Sequence, residues 1–294
     1  MPGAIAQGLI WGIMAIGVYI TYKILDIADL TVDGSMCTGG AVCVMMMLTG
    51  HSLVVSMIVA VLAGMVAGFV TGIFHTAFGI PAILAGILTQ LALYSINLKI
   101  MGKSNQVLSV RNFNLLVSLQ YLNDTPWYKN AIFIVAIFVV VLIIILYWFF
   151  GTEFGCSMRA TGCNLNMSRA QGINTNWHKV IGLMISNGIV ALSGALLTQY
   201  QGFADVNMGR GAIVIGLAAV IIGEAVVGRF FRSFAVKLLS VAVGGIIYYI
   251  VYQIVIWLRL DTDLLKMLSA IVVALFLGIP YWKSQLTKGG KRNA

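Results

Sequence analysis

The sequence predicts an all-α polytopic membrane protein with eight or nine transmembrane segments, two of them short or broken. Three observations carry this. The chain is 60% hydrophobic and only 9% charged, whereas a soluble domain carries about 25% charged residues. Its mean hydropathy is +0.98. Several runs of roughly 20 apolar residues are each long enough to cross the hydrocarbon core of a bilayer. Residues 1–294 therefore read as one transmembrane domain.

Nine apolar segments follow one another: Ala4–Tyr22, Ser35–Leu48, Leu53–Phe74, Ile80–Ile100, Asn130–Phe150, Val180–Tyr200, Ala212–Val227, Phe234–Leu258 and Leu264–Tyr281. Met1-Pro2-Gly3 lacks a basic n-region and the run after it is span-length, so the first segment is expected to be a span and not a cleaved signal. The third segment carries Gly64, Gly68 and Gly72 as GxxxGxxxG, and Gly8 and Gly12 repeat that spacing on the first. Small residues four apart let helix backbones approach closely in a bilayer. Packing within the chain is the expectation, with a subunit interface as the alternative.

The second and seventh segments are short for a full span, and each follows a break rich in Gly and Asp. The breaks echo each other: Ala28-Asp29-Leu30-Thr31-Val32-Asp33-Gly34 and Ala204-Asp205-Val206-Asn207-Met208-Gly209. Paired interrupted segments of opposite orientation mark an inverted repeat around a midplane pathway. The identities are few, so coincidence is the competing reading.

A net charge of +9 would suggest a nucleic-acid partner in a soluble protein. Here Lys and Arg gather at segment ends, where they set orientation instead, and no nucleic acid is expected. The tail Lys283, Lys288, Lys291 and Arg292 is expected in the cytoplasm. Counting back places Arg229, Arg232, Lys237, Arg159, Arg169 and Lys179 on the same side. Lys103, Arg111 and Lys129 then lie in an external loop over residues 102–129, and the N-terminus is outside. The four cysteines, Cys37, Cys43, Cys156 and Cys163, have no metal-ligand spacing and read as free thiols.

Common catalytic signatures are missing: there is no HExxH, GxSxG or GxGxxG. Gly102-Lys103-Ser104 ends like a phosphate-binding loop, but Asn97 stands where that motif requires Gly. The chain is not expected to hydrolyse ATP through it. Asp26, Asp29 and Asp33, beside Lys23, read as solvated or capping carboxylates, with metal or proton work as the alternative. Glu224 closes an apolar run and is expected to pair with Arg229 or Arg232, against a membrane-embedded functional carboxylate. Candidate path-lining residues are Thr38, Gln90, Asn97, Ser186 and Asn187, together with Ser193 and Gln199. Each could instead make an interhelical hydrogen bond. So few embedded acids weigh against a secondary transporter or channel.

Residues 151–179 form a long polar interruption between two apolar spans. Asn164 or Asn166 can N-cap a short helix over Leu165–Gln171, and Gly172 can end it in the left-handed conformation. That helix would show Leu165, Met167 and Ala170 among Ser168, Arg169 and Gln171. Such a mixed, basic surface suits a groove on another protein. Equally, it suits a helix lying on headgroups, with Arg159 and Arg169 near anionic lipid.

The run Arg159-Ala160-Thr161-Gly162-x-Asn164, then Ser168-Arg169-Ala170-x-Gly172-Ile173-Asn174, then Ser193-Gly194-Ala195-Leu196-Leu197, resembles the permease family of bacterial ABC importers. The nearest relatives are the branched-chain amino acid and ribose-type permeases. Asp29-Leu30-Thr31-Val32-Asp33-Gly34-Ser35 is similar to a D-L-S-V-G-S segment of sugar permeases. Gly79-Ile80-Pro81-Ala82 opens a span as I-P-A does there, and Ile215–Gly223 sits where relatives have an apolar A-x-V-x-x-G-G run. The likeness extends from about Ala28 to Tyr281. Gly223-Glu224-Ala225-Val226-Val227-Gly228 departs from the family's Gly-rich turn, and the sugar permeases have one more N-terminal span, which leans toward the amino-acid branch.

The resemblance implies a transport subunit of the bacterial cell membrane, with no cofactor on this chain and ATP and magnesium on a partner. Implied partners are a cytoplasmic ATP-binding subunit, an extracytoplasmic substrate-binding lipoprotein and a second permease copy, most simply as a homodimer. It also implies that Arg159, Asn164, Leu165, Met167, Ser168, Arg169, Ala170 and Gly172 belong to a helix coupling to the ATPase. The expected cargo is an amino acid, the aromatic ones included, with a simple sugar or nucleoside as the alternative.

Overall fold

Where the apolar runs stop decides where the helices turn. A computed structural model describes residues 2–108, 115–118, 130–227 and 233–257, with positions 267, 271, 274 and 278 in isolation. Its bundle helices are α1 (Pro2–Tyr19), α2 (Thr31–Leu48), α3 (Leu53–Thr76), α4 (Ala82–Met101), α5 (Ala131–Gly151), α8 (Thr175–Gln201), α9 (Ala212–Val226) and α10 (Phe234–Trp257). Two shorter helices, α6 (Glu153–Cys163) and α7 (Leu165–Ala170), cap one end. A two-stranded antiparallel ribbon, β1 (Asn105–Val107) with β2 (Phe203–Asp205), marks the other, with Gln106 opposite Ala204. Among the described residues, seven helices are long and apolar enough to cross a membrane, and α9 is a shorter apolar helix. Backbone polar groups in lipid must be satisfied internally, which explains why even the Ile- and Val-rich α5 is helical.

Local signals set the boundaries. Asn130 Oδ1 accepts from the Ile132 amide at 3.0 Å, and Asn174 Oδ1 from the Trp177 amide at 3.3 Å. The second cap starts α8 at Thr175, five residues before the apolar run that predicts it. Thr152 Oγ1 accepts from Gly155 N at 3.3 Å and begins α6, a helix that the polarity of residues 151–163 had concealed. The ninth predicted segment, Leu264–Tyr281, lies outside the described residues apart from isolated positions. So do Arg111, Lys129, Arg229, Arg232 and the basic tail.

The central helix is α8, buried along most of its length. The GxxxGxxxG glycines of α3 lie against it: a Cβ on Gly64 would strike Asn187 and Ala191, on Gly68 the Leu183 carbonyl, and on Gly72 Val180. The glycine stripe is thus an intramolecular helix seam, and the subunit-interface alternative for it is set aside. Gly8 and Gly12 do the same for α1 against Ile246 and Ala242 of α10. On α2, Gly39 meets the Ala191 backbone, and Gly194 of α8 meets Met36. Without a hydrophobic drive between helices in lipid, such close backbone contact is what holds the bundle together.

Two helices are broken inside the bundle. The end of α1 widens into a π-turn, Ile20–Ile24, with Leu25 N donating to Ile20 O at 3.1 Å. Asp26 then adopts φ +54° and stops the helix, a left-handed conformation that Asp tolerates better than most residues. Residues 25–30 climb beside α8 before α2 begins. Asn187, the α8 residue that Asp29 reaches, lies about 18 Å along that helix from Thr175. From the ribbon end, residues 206–211 descend into the bundle before α9 begins. Both predicted breaks are present and they meet; α2, at 18 residues, is long enough to span, and of the two only α9 is short.

Gly68→Val tests the α3–α8 seam. Overpacking against backbone costs about 1–3 kcal/mol, so melting in detergent should fall by several degrees. Gly151→Ala, whose Cβ would meet nothing within 4 Å, should leave the melting temperature unchanged.

Candidate functional site

The meeting point of the two breaks is built on a carboxylate. Asp33, in the first turn of α2, accepts from Gly211 N at 2.9 Å through Oδ2 and from Ile213 N at 3.0 Å through Oδ1. These are orphan donors at the start of α9, where Gly211 sits at φ +83° and offers no side-chain cap. Each helix N-terminus carries partial positive charge, so the two starts would repel without an anion between them. Gly209 fits under Asp33 because a Cβ there would strike the Asp33 carbonyl.

A second carboxylate supports the first. Asp29 is 2% exposed. Its Oδ1 accepts from Thr31 N at 2.9 Å, and its Oδ2 from Asn187 Nδ2 at 2.7 Å. Asn187 also accepts from Ser35 Oγ at 2.6 Å. Of the two readings expected for Asp29 and Asp33, solvated or capping, the capping one is what the structure shows. Both act as caps, Asp29 on its own helix and Asp33 on another, and only Asp26 is exposed.

Beside this junction lies a cavity of about 270 Å³, lined by Asp33, Gly34, Cys37, Gln90, Leu91, Tyr94, Asn97, Val206 and Arg210. It joins the start of α2, the middle of α4 and the descending 206–210 segment. Cys37 Sγ donates to Val206 O and accepts from Gly209 N, which fixes that wall. Arg210 stands with its guanidinium carbon 5.9 Å from the centre of the Tyr94 ring. Asn97 is fully buried, and neither its Nδ2 nor its Oδ1 has a hydrogen-bond partner among the described residues. An unmet buried polar group costs about 1–3 kcal/mol, and native folds keep few of them.

The predicted path residues divide. Gln90 and Asn97 line the cavity. Thr38 does not: its hydroxyl is buried and donates back to Gly34 O. Ser186 donates to Gly17 O and Ser193 to Ile10 O, both tying α8 to α1. Asn187 is committed to Asp29 and Ser35, and Gln199 Nε2 contacts Cys43 Sγ. Sequence reasoning passed over Tyr94 and Arg210 as wall residues. The one available signal for Arg210 was its place just before the short seventh segment. The four cysteines are free, as expected.

At the far end, α6 and α7 form a hook. Asn164 is the cap, accepting from Met167 N at 3.0 Å. Gly172, at φ +82°, ends the turn. Ser168 is buried and bonds back to Asn164 O, and Arg169 Nε donates to Thr175 Oγ1 at 3.0 Å. Leu165, Met167 and Ala170 face outward, Met167 being 60% exposed. The hook is seated, not loose: His178 of α8 stacks on Phe154 of α6 with centres 4.4 Å apart. Arg159 lies over Phe234 of α10 at 5.5 Å. Gly162 packs directly on the Ile24 carbonyl in the π-turn. Nearby, Glu224 pairs with Lys23 at 3.1 Å, a partner other than the predicted Arg229 or Arg232.

Asp33→Ala leaves two N–H groups of α9 uncapped. Charge-assisted caps of this kind are worth about 1–3 kcal/mol, so amide exchange over residues 211–216 should accelerate by about tenfold or more. Exchange in the middle of α8 should not change.

The chain matches the family described as branched-chain amino acid transport system / permease component over residues 2–283. It is 42% identical over 272 residues to the tyrosine transport system permease protein of Clostridioides difficile (strain R20291), covering 92% of this chain and 88% of that one. An uncharacterized protein of Rickettsia prowazekii (strain Madrid E) is 34% identical over 93% of this chain and 95% of its own length. The xylose transport system permease protein XylH of Haemophilus influenzae is 30% identical over 38% of this chain and 29% of its own. Among solved structures, PsaBC from Streptococcus pneumoniae in complex with Fab shares the fold, at a TM-score of 0.55 and 15% identity over 94% of this chain and 88% of that one. A bundle of span-length helices, two of them broken and joined head to head, together with these matches, makes this chain a member of the branched-chain amino acid transport system permease family, an ABC-type multi-pass membrane permease.

Proposed function

We propose that this chain is the membrane subunit of an ATP-driven importer that carries an amino acid, most specifically an aromatic one. The observation that carries the coupling half is the capped helix Leu165–Ala170, which presents Leu165, Met167 and Ala170 at one end of the bundle on a seated support. An exposed apolar knob with a neighbouring arginine suits a groove on a cytoplasmic ATP-binding subunit. The same end carries Lys23, Arg159, Arg169, Lys179 and Lys237, which favours a cytoplasmic location for it and an external N-terminus. The cargo half is supported by the tyrosine transport permease, whose likeness covers 92% of this chain against 38% for the xylose permease.

The mechanism follows the contacts. Closure of an ATPase dimer pushes on α7, and α6 passes the movement to the π-turn through Gly162 and Ile24. The π-turn leads into residues 25–30, and these end at Asp29 and α2. Because Asp33 ties α2 to the start of α9, a shift of one broken helix moves the other. Opening and closing then occur beside the Asp33 cavity, and two permease copies complete the path. An extracytoplasmic binding protein delivers substrate to the ribbon end. Nucleotide and magnesium belong to the ATPase partner.

The test is the complete transporter, with ATPase and binding protein, in proteoliposomes. ATP-dependent accumulation of L-tyrosine is expected, with no accumulation of D-ribose or D-xylose. Deleting residues 164–172, or replacing Met167 by Asp, should abolish substrate-stimulated ATP hydrolysis while leaving membrane insertion intact. Transport that survives the deletion would remove α7 from the coupling route.

A further inference from the structure

The cavity at the helix junction has features that a mere passage does not need. Asn97 buries both a donor and an acceptor without partners, against a wall held in place by backbone hydrogen bonds. Buried amides are ordinarily satisfied by protein or by ligand. The cavity also offers both signs of charge. Asp33 uses one lone pair on each oxygen for α9, which leaves further acceptor directions on the same carboxylate. Arg210, which also lines the cavity, has no carboxylate within ion-pair distance among the described residues. Tyr94 adds an aromatic face, and Gln90 a further amide.

From this juxtaposition we infer that the cavity is a recognition site for the zwitterionic head of a single α-amino acid, within the permease itself. Arg210 and Asn97 Nδ2 receive the carboxylate, and Asp33 with Asn97 Oδ1 receives the ammonium. Tyr94 lies against the side chain of the bound molecule. A volume of about 270 Å³ holds one molecule of amino-acid size. A sugar of similar size would satisfy Asn97 but would leave Arg210 and Asp33 without counter-charges, so the site selects by charge as well as by fit. The inference rests on the amino-acid reading above and extends it, since selectivity then belongs to the permease as well as to the binding protein.

The experiment measures equilibrium binding of tritiated L-tyrosine to the permease–ATPase complex prepared without binding protein, with L-leucine and D-ribose in parallel. Saturable tyrosine binding is expected. Tyramine, which lacks the carboxylate, and deaminotyrosine, which lacks the ammonium, should compete at least about tenfold more weakly than L-tyrosine. Arg210→Met and Asn97→Leu should each raise the half-saturating concentration by about tenfold or more, while Lys103→Met, exposed and away from the cavity, leaves it unchanged. Asn97→Leu carries a second readout. Replacing an unpaired buried amide with an apolar group should hold or raise the melting temperature even as binding weakens, whereas a purely structural Asn97 would lose both. Arg210 is exposed at the cavity mouth, so its variant reports binding without depending on the buried residue. Transport of tyrosine by the whole system with normal binding in both variants would overturn the site and leave the proposed function standing. Binding and transport of ribose in place of amino acids would overturn the proposed function itself. No saturable binding to the wild-type complex would also overturn the site.

Discussion

The Asp33 carboxylate is the contact on which the rest of the architecture turns. A helix that starts inside a bundle presents unsatisfied N–H groups and a positive dipole end to its protein neighbours. Two such starts facing each other double the problem. One carboxylate, held in the first turn of α2 and bonded to Gly211 and Ile213, answers both the hydrogen-bonding and the electrostatic demand. Asp29 and Asn187 then fix α2 to the central helix, so that the carboxylate cannot drift.

This arrangement places irregular backbone at depth without exposing it to lipid. Non-helical segments inside a membrane are tolerated where they are buried in protein or line a cavity. In residues 25–30, Asp29 is buried in protein while Asp26 and Ala28 line a separate cavity, and residues 206–210 line the Asp33 cavity through Val206 and Arg210. The two embedded acids would, in isolation, resemble the ion-binding carboxylates of a secondary transporter. Both instead cap helix starts, with Asp33 keeping further acceptor directions toward the cavity. Their burial is thus a consequence of broken helices.

The hook and the junction are linked by tight contacts with little room for slack. Glycine seams along α3–α8 and α1–α10 make the bundle stiff, because backbone meets backbone where side chains would otherwise yield. A stiff bundle with two interrupted helices concentrates movement at the interruptions. The hook sits on the π-turn that precedes the first interruption. That placement is the ground for proposing one mechanism for the ATPase contact and the Asp33 cavity.

The sequence alone determined the features that depend on composition and local chemistry. Apolar run lengths placed the spans, Asn164 or Asn166 with Gly172 marked a short helix between them, and the GxxxGxxxG spacing located a helix seam. The echo of Asp29–Gly34 and Asp205–Gly209 marked two breaks. Tertiary structure decided what those residues do. Asp33 sits near Lys23 in sequence, which suggests a solvated carboxylate or a cap on a nearby helix, yet its partners are 178 and 180 positions away. Asn97 and Asn187 are equivalent on paper, but one is left unpaired beside a cavity and the other is consumed by Asp29 and Ser35. Helical periodicity reports which face of a segment is apolar. It carries no information about where along a neighbour's length that segment begins, and the depth at which α2 and α9 start made the site.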